Sequence, residues 1–172
     1  QLGGRIGPIL DTIRWLHENG VWLEIVTLVI RGFNDSDDEL RRLAEFLASV
    51  SPDIPWHVTA FHSDYKMAET EDTRPEDLVR AARIGKSAGL NFVYAGNLPG
   101  RVNDFEDTRC SRCRGTLVRR YGYFIEDYRI TANGCCPDCG NTLAGRWADR
   151  FEGQIADRPF VPGFRSSLVT LS

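Results

Sequence analysis

The stretch GVWLEIVTLVIRGFNDSDDEL, residues 20–40, decides the fold. Val21 to Ile30 is a nearly unbroken apolar, β-branched run, interrupted only by Glu24 and Thr27. Such a run reads as a strand buried on both faces, as in a parallel sheet with helices outside. Arg31-Gly32-Phe33-Asn34-Asp35 then turns the chain out, and Ser36 with Glu39 forms a capping box that starts a helix. Together these make one βα unit, whose chemistry belongs at the carboxyl end of the strand.

Upstream, Ile6, Ile9, Leu10, Ile13 and Leu16 recur at helical spacing, with Pro8 in the first turn and Asn19-Gly20 as the stop. Downstream, Leu40, Leu43, Ala44 and Leu47 give the next helix its apolar face, ended by Ser51-Pro52. A strand at Trp56–Phe61 runs into the polar loop His62-Ser63-Asp64-Tyr65-Lys66. Thr73 and Glu76 frame a second capping box with Pro75 in the first turn, and Leu78, Val79, Ala82 and Ile84 line a helix closed by Gly89. Leu90–Ala95 is a third strand, ending in Gly96-Asn97-Leu98-Pro99-Gly100. The order α-β-α-β-α-β has connections of ordinary length for parallel crossovers. Three strands are too few for a closed barrel, and an open sheet this small leaves edges exposed. Half of a (β/α) barrel over residues 1–103 is the economical reading.

From 104 to 147 the character changes. All five cysteines lie between 110 and 139. Cys110 and Cys113 form one CxxC pair and Cys136 and Cys139 another, with a hairpin over Thr116–Ile130 between them, in which Tyr121, Tyr123 and Ile125 alternate. Paired knuckles aim four thiolates at one point and complete the tetrahedron that zinc prefers, at about 2.3 Å per bond, although the same ligands would accept iron. So small a region cannot bury enough core, and the metal would supply its folding energy. Gly140 suits the positive φ that follows a knuckle; at the first knuckle the matching residue is Arg114. Cys135 is surplus and reads as a spare thiol. The segment 148–172 has little periodicity and is expected to be a loosely ordered tail.

The composition, 42% hydrophobic and 26% charged over 172 residues, suits one globular domain with an appendage. A net charge of −3 and pI near 5.6 give no general pull toward nucleic acid or anionic membrane. No apolar run approaches the roughly 20 residues of a membrane span, and no signal-peptide pattern opens the chain. Clustered rather than dispersed cysteines indicate a reducing cytoplasm and a metal site. The first clear element is a helix and the sole methionine is Met67, so the chain is expected to be the later part of something longer.

The stretches LGGRIGPILDTIRWLHENGVWLEIVTLVIRGFNDSDDELRRLAEFLAS, PDIPWHVTAFHSDYKM and AGLNFVYAGNLPG, with the CxxC pair, resemble the AmmeMemoRadiSam-system radical SAM enzymes, relatives of the pyruvate formate-lyase activating enzymes. The resemblance covers roughly residues 2–147. It implies the carboxyl-terminal half of a partial (β/α)6 barrel that binds a 4Fe-4S cluster and S-adenosylmethionine (SAM). Reductive cleavage of SAM would generate a 5′-deoxyadenosyl radical that abstracts hydrogen from a substrate, for which a protein is one candidate. The family carries its cluster on a CxxxCxxC loop early in the barrel. No such motif occurs here, so the cluster ligands would come from the amino-terminal half of the same enzyme, and this chain alone would make no radical. Two departures stand out: Ile30-Arg31-Gly32 replaces an isoleucine-proline-glycine turn, and Phe61-His62-Ser63 replaces Phe-His-Pro. Losing both prolines is expected to loosen two loops.

By the same resemblance, His62 aligns with a histidine lining the SAM pocket. Glu24 and Thr27 are polar positions in an apolar strand, and alternation sends them to opposite faces, so at most one points into the lumen. Glu24 is either paired structurally or touches SAM or substrate. Asn97, at the end of the third strand, either makes the turn or contacts cofactor or substrate. His57 has opposite parity to Trp56, Val58 and Ala60 and carries no assigned partner. No residue can be assigned a catalytic role. Five arginines between Arg109 and Arg120, with no acid among them, leave a second reading open: a non-enzymatic zinc-ribbon module that docks a protein or RNA.

Overall fold

The computed structural model describes residues 4–67 and 69–147, together with the backbone of 155–156 and 168–169. The tail expected over 148–172 falls outside the described residues apart from those two backbone segments. Helix α1, Ile6–Glu18, ends at Asn19 and Gly20, whose φ of +70° is the conformation the sequence demanded of it. Its apolar stripe is used only in part. Ile13 is buried and Leu10 and Leu16 half-buried, while Ile6 and Ile9 stay exposed.

Strands β1 (Ile25–Val29), β2 (Trp56–Ala60) and β3 (Val93–Gly96) form a parallel sheet in the order β1-β2-β3. Helices α2 (Asp37–Val50) and α3 (Pro75–Ser87) make the crossovers between them. The register sets Ile25 beside Trp56 beside Val93, and Thr27 beside Val58 beside Ala95. These rows face the helices and meet Leu40, Ala44 and Leu47 of α2 and Leu78, Ala81 and Ala82 of α3 in one core. Ser36 caps α2, its hydroxyl accepting from the Glu39 amide. Arg80 of α3 reaches the start of α2, donating to the Asp35 carbonyl and pairing with Asp37.

The expectation that the opening strand is buried on both faces is corrected. Val26 is 66% exposed and Leu28 44%, because β1 is the sheet's edge and the face opposite the helices lies open there. A continuous apolar run fits double burial but does not say whether the second face has a cover. The second capping box also differs. Arg74, not Thr73, precedes the first turn of α3, and its amide donates to the Asp77 carboxylate. Thr73 is drawn into tertiary structure: its hydroxyl accepts from the Phe61 amide and donates to the Val29 carbonyl, and its amide donates to the Phe61 carbonyl.

After β3 the chain forms β4 (Thr108–Arg109), β5 (Thr116–Tyr121) and β6 (Phe124–Tyr128), an antiparallel array. Beyond it, short strands β7 (Ile155–Ala156) and β8 (Leu168–Val169) continue the same sheet. The β5–β6 hairpin turns at Gly122 and Tyr123, so Tyr123 caps the turn instead of alternating within a strand. Leu117, Val118, Ile130 and Leu143 pack around Cys110 and Cys136, and Phe92 and Tyr94 join them from the helix-free side of the first sheet. Glu106 fastens the two parts: one carboxylate oxygen accepts from the Gly100 amide and the other from the Gly122 amide, each at 2.7 Å.

Candidate functional site

Each CxxC pair folds into the same turn. The Arg114 amide donates to the Cys110 carbonyl at 3.0 Å and the Gly140 amide to the Cys136 carbonyl at 2.9 Å. Both following residues sit at positive φ, Gly140 at +71° and Arg114 at +64°. The two turns bring the sulfurs of Cys110, Cys113, Cys136 and Cys139 within 4.8 Å of one another. Cys110 and Cys139 are 3.6 Å apart and Cys113 and Cys136 3.7 Å. A tetrahedral ion with bonds of about 2.3 Å needs sulfur separations of about 3.8 Å, so the donor set and its spacing fit one ion of the zinc type. Four sulfurs this close enclose a single ion and leave no space for a cube of iron and sulfide. Burial opposes ionisation of Cys110, yet the amides of Cys113 and Arg112 bring its thiol down to about 7. At Cys113 the Gly115 amide favours the thiolate, but the crowding thiols, Cys139 first, push it up to about 12. A cation among them removes that conflict. Cys135 stands apart, its sulfur 3.7 Å from the Asn133 carbonyl and from the Thr142 hydroxyl.

On the helix-free face side chains from five separate segments meet in a polar row, with His57 and Tyr94 set side by side by the strand register. Glu24, just before β1, accepts from the Trp22 indole at 3.2 Å and from His57 Nε2 at 2.6 Å. The His57 ring stacks on Tyr94 at 5.0 Å, Tyr94 shares a 3.0 Å hydrogen bond with the buried Thr108, and Arg120 donates to Thr108 at 2.7 Å. Burial pushes the Tyr94 phenol up. These residues floor a cavity of about 710 Å³ between the first sheet and the β5–β6 hairpin, with Glu106 and Asn97 also on its wall.

The predicted residues thus separate. Glu24 faces this cavity, while Thr27 points to the helices and accepts from the Trp56 indole at 2.9 Å. Asn97, at φ +68°, forms the turn after β3 and donates to the Ala60 carbonyl at 3.2 Å. His62 stands at the carboxyl end of β2, 81% exposed, with Nδ1 2.8 Å from Asp72.

The two loops that lack prolines carry side-chain ties of their own. The Ser63 amide, a donor that proline would lack, bonds Asp72 at 2.7 Å, and Arg31 pairs with Glu71 and, at 3.3 Å, with Asp77. Nothing in the sequence singles out Asp72 or Tyr94. The local signals of the row are Glu24, a carboxylate in an apolar strand, and His57, a histidine out of phase with its strand's buried set.

No family model matches this chain. It is similar to an uncharacterized protein of Methanocaldococcus jannaschii, 33% identical over 115 residues that make up 66% of this chain and 34% of that protein. It is also similar to the choline trimethylamine-lyase activating enzyme of Oleidesulfovibrio alaskensis, 28% identical over 127 residues, 74% of this chain and 35% of that enzyme. The chain spans about a third of the length of these curated relatives. Among the described residues no helix is long and apolar enough to cross a membrane.

Proposed function

We propose that this chain is the carboxyl-terminal part of a radical SAM enzyme of the activating-enzyme kind, carrying a structural zinc ribbon. The observation that carries the reading is the similarity to an activating enzyme over 74% of the chain. The parallel βα array supports it, because its helix-free face and the outer edge of β1, unpaired among the described residues, suit a sheet that continues into a half-open barrel. When bound, a 4Fe-4S cluster with SAM supplies one-electron reductive cleavage of the sulfonium, and with it hydrogen abstraction from a substrate. The residues in hand do not fit that cluster: the four cysteines suit one ion, and Cys135 faces away from them. Its ligands therefore belong to the amino-terminal half of the enzyme, the partner this chain requires. His62, Asn97 and Glu24 are the residues offered to cofactor or substrate. Thr27, engaged by Trp56, would act only by shaping β1.

Anaerobic iron–sulfur reconstitution of the full-length protein tests this. With reductant and SAM it is expected to release 5′-deoxyadenosine; an intact cluster with no SAM cleavage would refute the proposal. The docking-module reading has less behind it, since Arg109 pairs with Asp104 at 3.0 Å and Arg120 is spent on Thr108. It requires salt-sensitive binding of RNA or protein that survives deletion of the first sheet.

A further inference from the structure

Cavities and side-chain clusters aside, one arrangement at the carboxyl end of β2 specifies chemistry in its own right. The Asp72 carboxylate is claimed by two residues, His62 through its ring and Ser63 through its amide and its hydroxyl. Oδ2 lies 2.8 Å from His62 Nδ1, and Oδ1 accepts from the Ser63 amide at 2.7 Å. Asp72 is no free surface acid that happened to meet an imidazole. The next residue, Thr73, is only 4% exposed and exchanges two hydrogen bonds with Phe61 while donating to Val29. That buried hydroxyl pins the 72–73 backbone alongside 61–63, so the carboxylate is presented to His62 by the ends of two strands.

We infer that Asp72 is a positioning residue that fixes His62 as the Nδ1–H tautomer and leaves Nε2 as a lone-pair acceptor at the mouth of the sheet. An ionised carboxylate only accepts, so the Nδ1 facing it must carry hydrogen; in neutral imidazole the proton is then missing from Nε2. The Asp72 carboxyl is kept ionised to about 2, chiefly by the Ser63 amide. A bare Nε2 with most of its side chain open takes a group that donates, an ammonium or a hydroxyl, and can receive its proton. His57 carries the opposite arrangement: its Nε2 faces Glu24, so its proton sits on Nε2 and Nδ1 is the acceptor.

The inference leans on the proposed function only for what approaches His62. The tautomer is measured on this chain by itself, so the two ideas fail separately.

Imidazole ¹⁵N spectra of the zinc-loaded 172-residue chain, recorded well above the ordinary imidazole pKa of about 6.5, test it. His62, assigned by loss of its signals in His62→Gln, is expected to show the protonated-nitrogen shift at Nδ1 and the bare-nitrogen shift at Nε2. His57 is expected to show the reverse in the same spectrum. Asp72→Asn should exchange the two His62 shifts. Its single carbonyl oxygen must serve the Ser63 amide, which can only donate, and its NH₂ then turns to Nδ1 and forces the proton to Nε2. His57 should not move. A wild-type His62 with its proton on Nε2, or an Asp72→Asn spectrum identical to wild type, overturns the inference. Should Asp72→Asn not fold, the wild-type spectrum still decides it.

Discussion

A β-carbon on Gly85 would lie 2.8 Å from Cε3 and 2.9 Å from Cζ3 of Trp56: helix α3 rests on the indole face with no space between them. Trp56 cannot retreat, because it is fully buried and its Nε1 is held by Thr27. Gly85→Ala should therefore destabilise the chain. Overpacking of about 1–3 kcal/mol outweighs the roughly 1 kcal/mol that alanine gains in a helix. Urea unfolding followed by tryptophan fluorescence should show an earlier midpoint with an unchanged slope.

The cysteine centre gives a prediction by metal content. The chain should carry one ion, and replacing any of Cys110, Cys113, Cys136 or Cys139 by serine should abolish it, whereas Cys135→Ser should keep one ion per chain. A chelator should unfold the β4–β6 region first, read as lost amide protection there while Val58 and Leu78 amides stay protected.

The two knuckles differ at one place, and that difference is measurable. Arg114 adopts the left-handed conformation that Gly140 adopts freely. Arg114→Gly should stabilise the ribbon by up to about 1 kcal/mol, and Gly140→Ala should cost about 1–2 kcal/mol. Chelator-competition midpoints should rank Arg114→Gly above wild type and Gly140→Ala below it.

Asp72 gives a pH signature. Its carboxyl is lowered from 3.8 to about 2, mainly by the Ser63 amide, then by the Ser63 hydroxyl and by His62. A depressed folded-state value means that its contribution is complete above the ordinary carboxylate pKa and is lost as pH falls through the folded one. The Ser63 amide shift should titrate with a midpoint near 2. A midpoint near 3.8 would show the clamp to be open in solution.

Glu106 is the tie between sheet and ribbon. Glu106→Ala leaves the Gly100 and Gly122 amides without their acceptor and should cost about 1–3 kcal/mol. Faster hydrogen exchange at both amides is the check.

What could be read from the chain divides by distance along it. Ser36 with Glu39, Asn19-Gly20 and the paired CxxC turns are local, and each sits where its spacing put it. Thr73 misled because its hydroxyl met two partners, Val29 at the end of β1 and Phe61 just past β2, that outcompeted a cap. The apolar run at 21–30 misled because edge and centre strands can share a composition while only their neighbours differ. The row from Glu24 through His57 and Tyr94 to Thr108 and Arg120 was hard to read for a simpler reason: five separate segments supply one residue each, and only His57 and Tyr94 are register partners, the rest meeting through side-chain hydrogen bonds. Asp72 has no local signature either, since any loop aspartate looks the same until its donors are known.

The bare flank of β1 has a practical corollary for anyone handling this polypeptide. Val26 and Leu28 present greasy side chains next to a row of backbone groups that no described strand satisfies. Produced in isolation, the chain offers other copies a template for edge-to-edge growth. Solubility should improve on placing a lysine at Val26, far more than on any change to the well-covered side of the same strand.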